Sequence, residues 1–397
     1  MPYVCRWGIL ATGGIAESFA KDLLVDPSTR SVTKIRHTIT AAASSSGASR
    51  ARKFLEDLGV ADSASSYGSY EELAQDPNVD IIYVATPHSH HFQNVMLCLE
   101  AGRNVLCEKA FTVNAAQTRV LIDKAREKNL FLMEAVWTRY FPLSEYLTDT
   151  ILNGTIGSVQ RVIADLSVPT DPDVANSESL SRIEDPKTAG GALLELGVYP
   201  INWCFQAIYN VIPADIRSPP SVKAVIKKYP SGVDETTSMI LVFPRPSEYG
   251  GDAHAFATCS ITPGSRWRET RAPQPSVRIL GTKGELELYH PSFRPARTRL
   301  MTENGDIVEK TWPHPGPGKG SNWYNWYRDE RLAEGEARGM AWQADEAATA
   351  LSTDQKESSK QSLEESLVIM QVMDEVRRQG DLVYSEELES TAYPLQL

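Results

Sequence analysis

The chain has 397 residues, 42% of them hydrophobic and 23% charged, a globular composition long enough, at roughly 150 residues each, for two or three domains. Its 40 basic and 51 acidic residues give a net charge of −11, which argues against nonspecific binding to nucleic acid or anionic membrane, since both reward positive surface. No stretch reaches the roughly 18–20 apolar residues of a membrane helix, and five scattered cysteines without CxxC spacing exclude a disulfide framework and a zinc site.

The first six residues carry no basic region followed by a long apolar run, so no secretory signal is expected and a cytoplasmic protein is. Val4–Leu10 reads as a buried strand and Ile15–Leu24 as a helix. His37–Ala43 and Ser49–Leu58 repeat the pair, and Ser63–Tyr67 gives a weak third strand. Ser69-Tyr70-Glu71-Glu72 is a capping box opening a short helix. Val79–Ala85 is a fourth strand, and His91–Glu100 a helix that Gly102 terminates. Asn104–Cys107, the helix Ala115–Lys128 and the strand Leu130–Val136 complete the series. Strands alternating with helices of this length predict βαβ units and a doubly wound parallel sheet of Rossmann type over residues 1–136.

Residues 137–397 read as an α+β domain with an open, mainly antiparallel sheet. Its strands are Val159–Ser167, Ser221–Lys228, Thr236–Val242 and Ala253–Ile261. Two hairpins follow, Val277–Leu280 with Glu285–Tyr289 and Arg297–Thr302 with Ile307–Lys310. The apolar helix Leu193–Tyr209 interrupts the strands. Trp312–Gly320 is a loop, Ser352–Ser362 a polar loop tip, and Leu363–Arg378 a helix. One sheet face is left needing cover, and a homodimer by sheet stacking is expected.

Several short motifs carry chemistry. Ala11-Thr12-Gly13-Gly14-Ile15-Ala16 follows the first strand where a dinucleotide site has GxGxxG/A. A helix starting there offers free N–H groups to a pyrophosphate; the alternative is a plain tight turn. Past the second strand stands Ser44-Ser45-Ser46-Gly47-Ala48-Ser49-Arg50, with no carboxylate for a ribose 2′-hydroxyl. Hydroxyls and the Arg50 fork suit a 2′-phosphate, hence NADP, unless this is only a solvated turn. Thr86-Pro87-His88-Ser89-His90-His91 ends the fourth strand, where this architecture places its ligand. A cofactor-contacting turn is favoured there over helix capping or a metal, since no convergent Cys or carboxylate stands nearby.

Glu108-Lys109 ends the fifth strand, within reach of a nicotinamide ribose and a substrate hydroxyl, although strand-end lysines are common on surfaces. In Gly190-Gly191-Ala192-Leu193-Leu194-Glu195-Leu196-Gly197-Val198-Tyr199-Pro200, helical spacing puts Glu195 and Tyr199 on one face. Pro200 is expected to kink the element at Tyr199 and aim the phenol outward; the alternative is a core tyrosine with a satisfied hydroxyl.

Together these motifs, with Leu132–Pro142 and Val105–Val113, resemble the glucose–fructose oxidoreductase and inositol dehydrogenase family. The resemblance is greatest to a branch holding dimeric dihydrodiol dehydrogenases and fungal NADP-dependent D-xylose 1-dehydrogenases. It runs from Trp7 to about Pro313 and from Gly339 to Tyr384. It implies that Lys109 and Tyr199 are the catalytic pair and that Thr12, Gly13, Gly14, Ile15 and Ala16 hold the pyrophosphate. Ser45, Ser46 and Arg50 fall at the 2′-phosphate. Thr86, Pro87, His90 and Glu108 lie beside the nicotinamide, with Trp137 and Arg139 lining the same side toward substrate. Glu195, where many relatives carry Asp, would orient a sugar hydroxyl or the Tyr199–Lys109 pair. Three departures stand out: Ala11 for a glycine, Ala110 for the proline of Glu-Lys-Pro, and an insertion at about 321–338.

The implied activity is NADP-dependent oxidation of a cyclic aldose at C1, D-xylose foremost, to the 1,5-lactone, without a metal. Alternatives are oxidation of a trans-dihydrodiol, reduction of a dicarbonyl sugar, and a nucleotide sensor without turnover. A small sugar is the expected partner, with neither nucleic acid nor membrane.

Overall fold

The computed structural model describes residues 1–168, 182–262, 274–318 and 335–395. Its first sheet is built from β1 (Tyr3–Leu10), β2 (Ile35–Ala43), β3 (Ser65–Tyr67), β4 (Ile81–Val84), β5 (Asn104–Glu108) and β6 (Leu132–Ala135). The strand order is β3-β2-β1-β4-β5-β6, and all pairs are parallel. The connecting helices are α1 (Gly14–Leu23), α2 (Ala48–Asp57), α3 (Tyr70–Gln75), α4 (His88–Glu100) and α5 (Ala115–Glu127). Side chains on the two faces of these strands enter two separate cores, Ile9, Ile81, Tyr83 and Leu106 in one, Leu10, Ile82, Val84 and Val105 in the other. Double-sided burial is why these strands read as apolar runs. The order in which strands are added reverses between β1 and β4, which opens a crevice at the C-terminal edge between them.

After α6 (Pro142–Leu152) comes β7 (Val159–Ser167), then β8 (Ser221–Lys228), β9 (Asp234–Phe243), β10 (Ala253–Ser260), β11 (Pro275–Gly281), β12 (Gly284–Tyr289), β13 (Arg297–Thr302) and β14 (Ile307–Thr311). They form one eight-stranded sheet in the order β14-β13-β12-β11-β7-β10-β9-β8. Only β7 with β10 is parallel. The inner face carries Val162, Ala164, Met239, Leu241, Ala255, Ala257, Val277 and Ile279 against the helical stretch 193–209. The outer face has an apolar row in register, Ile240, Phe256 and Ile163, with Ile240 42% and Ile163 38% exposed. Lys223 flanks it at one end and the alternating Arg278, Glu287, Arg299 and Glu309 at the other.

The C-terminal residues return to the first sheet. Leu132 of β6 donates its N–H to the Lys356 carbonyl at 3.0 Å. Leu363 and Leu367, from the helix Leu363–Gln379, join the core that holds Leu121, Ile122 and Leu132. Gln117 donates to the carbonyls of Leu388 and Ser390, both at 2.8 Å. The polar stretch 352–362 is a loop exposed at 352–355, but its second half turns inward, where Ser358 and Gln361 are buried. The polarity of Ser358 and Gln361 serves interior hydrogen bonds to Glu346, Glu134 and Ser366, which composition alone does not separate from solvation. The helix Ala341–Ser352 had no counterpart among the sequence expectations. The insertion at 321–338 lies outside the described residues except for its last four.

Candidate active site

Lys109 follows directly on β5, at the sheet edge beside the crevice. Its peptide bond to Ala110 is cis. The residue beneath it, Glu108, accepts hydrogen bonds from the Tyr83 hydroxyl at 2.5 Å and from the Lys109 N–H at 3.2 Å. Burial lifts the Glu108 carboxyl to about 7 against the pull of the Lys109 ammonium. Two histidines brace the turn from α4. His91 bridges the Ala110 and Thr86 carbonyls at 2.9 and 2.8 Å, and burial pushes its pKa down to about 4. His88 reaches the Lys109 carbonyl at 3.2 Å, and burial lowers it to about 3. Burial thus favours the neutral form of both rings, and in that form His91, with a carbonyl at each nitrogen, can donate to only one of them.

Glu195 and Tyr199 come from a helical stretch with two wide turns, Leu193–Gly197 and Phe205–Tyr209, around the regular helix Val198–Cys204. The expected kink at Pro200 is not there; the stretch runs on, and the wide turns shift its ladder by one residue. Pro200 has no N–H to give to a carbonyl four or five residues back. Glu195 is five back, and its carbonyl accepts instead from Lys109 Nζ at 2.9 Å. The start of this stretch is held by Asp234, whose Oδ2 accepts from the Leu193 N–H at 2.6 Å and the Thr237 hydroxyl at 2.8 Å. Gly191, at φ +119°, leaves room for that carboxylate: a Cβ there would stand 2.0 Å from Asp234 Oδ1.

The structure brings Lys109, Tyr199, Glu195 and Trp137 together. Lys109 Nζ lies 5.5 Å from the centre of the Tyr199 ring, within range of a cation–π attraction. The Trp137 indole N–H donates to the Tyr199 hydroxyl oxygen at 2.8 Å. Glu195 Oε2 lies 3.5 Å from Lys109 Nζ and 3.5 Å from His88 Nε2, and its Oε1 is 3.3 Å from the Arg182 guanidinium. Burial opposes its charge, but Lys109, Arg182 and His88 outweigh that and hold its carboxyl far below the ordinary range. Phe293 stacks on Trp137 at 6.1 Å and lies 6.0 Å from Tyr199, giving the pocket an aromatic wall.

Arg139 does not join this group. It is buried and pairs with Glu365. It also donates to the Lys360 carbonyl at 3.0 Å and to Asn202 Oδ1 at 3.3 Å. Its guanidinium thus points into the interior, toward the returning C-terminal segment, and not toward substrate or cofactor. His88 and Arg182 were missed by sequence reasoning, which chose His90 from the same turn. His90 is half-buried, with its Nδ1 2.8 Å from the Ser89 hydroxyl. Arg182 is the first described residue after 168, and no short motif marks it in the sequence.

The remaining predicted residues line the crevice edge. Gly13 stands before α1 without a side chain to cap it, and a Cβ there would meet nothing within 4 Å. The amides of Gly14, Ile15 and Ala16 thus begin a helix whose N-terminus faces open space, a fit for pyrophosphate. Thr12 is buried just before it. Ala11 takes φ +74°, the left-handed conformation that explains why a glycine would suit its place. Ser45, Ser46 and Arg50 are exposed past the end of neighbouring β2, and Arg50 is in no ion pair among the described residues. Thr86 and Pro87 precede α4, and the Thr86 hydroxyl accepts from Asn94 at 3.2 Å. Among the described residues no three His, Cys, Asp or Glu side chains converge as metal ligands. No helix of the described residues is long and apolar enough to cross a membrane.

Comparison with known proteins agrees with this architecture. Residues 5–136 match the family model described as "Oxidoreductase family, NAD-binding Rossmann fold", and residues 145–287 match the GFO/IDH/MocA C-terminal domain. The chain is 45% identical over 395 residues to a D-xylose 1-dehydrogenase (NADP(+)) of Hypocrea jecorina, covering 99% of this chain and 96% of that protein. It is 34% identical over 382 residues to a trans-1,2-dihydrobenzene-1,2-diol dehydrogenase of Bos taurus, covering 96% and 98%. Among solved structures, an aldose-aldose oxidoreductase from Caulobacter crescentus shares the fold with a TM-score of 0.70 at 19% identity, covering 95% of this chain and 97% of that one. The strand order, the crevice and near full-length identity to two such enzymes agree: this chain belongs to the GFO/IDH/MocA family of oxidoreductases.

Proposed function

We propose that the protein is an NADP-dependent sugar dehydrogenase that oxidises C1 of a cyclic aldose, D-xylose foremost, to the 1,5-lactone. The observation that carries this reading is the meeting of Lys109 and Tyr199 at the crevice, in a chain 45% identical to an enzyme of that activity. When bound, the nicotinamide supplies the carbon that receives the hydride. Tyr199 takes the proton of the anomeric hydroxyl. An unperturbed phenol titrates near 10, and the adjacent Lys109 ammonium favours its ionised form. Lys109 is held by the Glu195 carbonyl and directs its remaining protons to the substrate oxygen and the nicotinamide ribose. The Glu195 carboxylate orients a sugar hydroxyl. Gly13 to Ala16 hold the pyrophosphate, and Ser45, Ser46 and Arg50 hold the 2′-phosphate. The five free cysteines, all buried, support a cytoplasmic setting.

An initial-rate screen of aldoses with NADP and with NAD tests the substrate and cofactor assignments. Lys109→Ala and Tyr199→Phe are each expected to lose most turnover while retaining the parent's far-UV circular dichroism. Near-normal rates in both would refute the assignment. The dihydrodiol reading is favoured by the aromatic wall of Trp137 and Phe293 and by the Bos taurus relative. A trans-dihydrodiol in the same panel, turned over faster than every aldose, would establish it.

A further inference from the structure

The phenol assigned above as base needs more than a nearby cation, because its ring is buried and burial favours the neutral form. We propose that Trp137 is a positioning residue for Tyr199: its indole N–H fixes the phenolic oxygen and strengthens the phenol as an acid. This inference rests on the reading of Tyr199 as the proton acceptor.

The geometry is specific. The indole nitrogen is 2.8 Å from the Tyr199 hydroxyl oxygen, and indole is a donor only. The phenolic oxygen is therefore the acceptor in this bond, whatever else it touches. A bond donated to an oxygen that becomes negative is worth more after ionisation than before it, so the contact lowers the cost of forming phenolate. The indole is itself immobilised. It stacks on Phe293 with an interplanar angle of 10° and meets the edge of Phe141 at 5.8 Å. Its N–H is thus aimed in advance of the reaction, as preorganised donors are.

Charged and titratable groups approach Tyr199 from several elements. Lys109 comes from the end of β5. Glu195 precedes it by one turn, carrying Arg182 and His88. Tyr83 of β4 and Glu108 of β5 lie behind Lys109. Trp137→Phe changes none of these groups, keeps one aromatic ring in the stack and removes the pyrrole ring with its N–H.

The test is the pH dependence of kcat/KM for the aldose best used, at saturating NADP. Trp137→Phe is expected to move the acid limb toward alkaline pH by about one unit, with activity near neutrality down about tenfold and recovered at high pH. Phe293→Leu, which loosens the stack but spares the N–H, is expected to move the limb by less than half as much. An unshifted limb in Trp137→Phe overturns the proposal, and so does an equal shift in both variants. A second measurement does not depend on folding of Trp137→Phe. In the 15N-labelled parent, one indole N–H resonance should titrate with the midpoint of that limb and cease to do so in Tyr199→Phe. Its absence overturns the proposal. If Tyr199→Phe keeps the parent's rate and profile, the reading of Tyr199 as base has failed, which is a different outcome from an unshifted Trp137→Phe.

Discussion

Arg50 is a charged residue in no ion pair among the described residues. It is exposed on the first turn of α2, beside two serines and with no carboxylate before Glu56. If its fork grips a 2′-phosphate, Arg50→Ala raises the KM for NADP at least tenfold, in line with loss of one charged bidentate contact of about 1.5–3 kcal/mol, and leaves the KM for NAD nearly unchanged. Equal losses for both cofactors would contradict the role. Arg139 carries the opposite lesson. Its neighbours in sequence, Trp137 and Tyr140, gave no sign that its partner would be Glu365. In isolation an arginine near a site reads as a ligand-binding group; only the buried carboxylate opposite turns it into a structural one.

The helical stretch that carries Glu195 and Tyr199 depends on Asp234, a residue of another element. Its carboxylate takes the Leu193 N–H, one of the donors a helix start leaves unpaired. Burial raises its pKa to about 6 against the bonds it accepts from Thr237 and Leu193, so the bonds must offset a desolvation cost. Asp234→Ala strands that N–H and is expected to destabilise the fold by about 1–3 kcal/mol. It should also lower kcat more than it raises the KM for sugar, because Tyr199 loses its fixed aim. Chemical denaturation with steady-state kinetics checks both; unaltered stability and rate would remove Asp234 from the account. Much at this scale was legible beforehand. β7, β8 and β13 end where the strand pattern said, and Ser69 and Glu72 form the reciprocal cap read from their spacing. The wide turns around Pro200 were not. Local pattern marks a proline as a break, whereas here packing on β7 and β10 and a lysine from the other sheet keep the stretch continuous. Gln361 was misplaced for a related reason: a polar residue in a polar run reads as solvated, yet it donates to Glu134 at 3.0 Å inside the protein.

At the scale of the whole molecule, the outer face of the second sheet is the feature that a lone chain leaves unfinished. Ile240, Phe256 and Ile163 stand in one row, between Lys223 and a series of alternating charges. We propose that a second copy covers this face, pairing apolar centre with apolar centre. Sedimentation of the parent at micromolar concentration should give twice the mass of one chain. The double variant Ile240→Asp, Phe256→Glu should give the single mass, because two carboxylates would be buried without partners. A parent that sediments as one chain would dismiss the pairing.

Leu363 and Leu367, with the Lys356 carbonyl on β6, have a bearing on how the protein is made. The strands of the first sheet are synthesised before residues 356–367, yet side chains from that later segment complete the interior around Leu121 and Leu132. On the ribosome residues 1–136 therefore emerge with an unfilled apolar surface, which closes only once residues 363–367 have followed. Premature termination anywhere before residue 363 would leave that surface bare for chaperones or proteases to find.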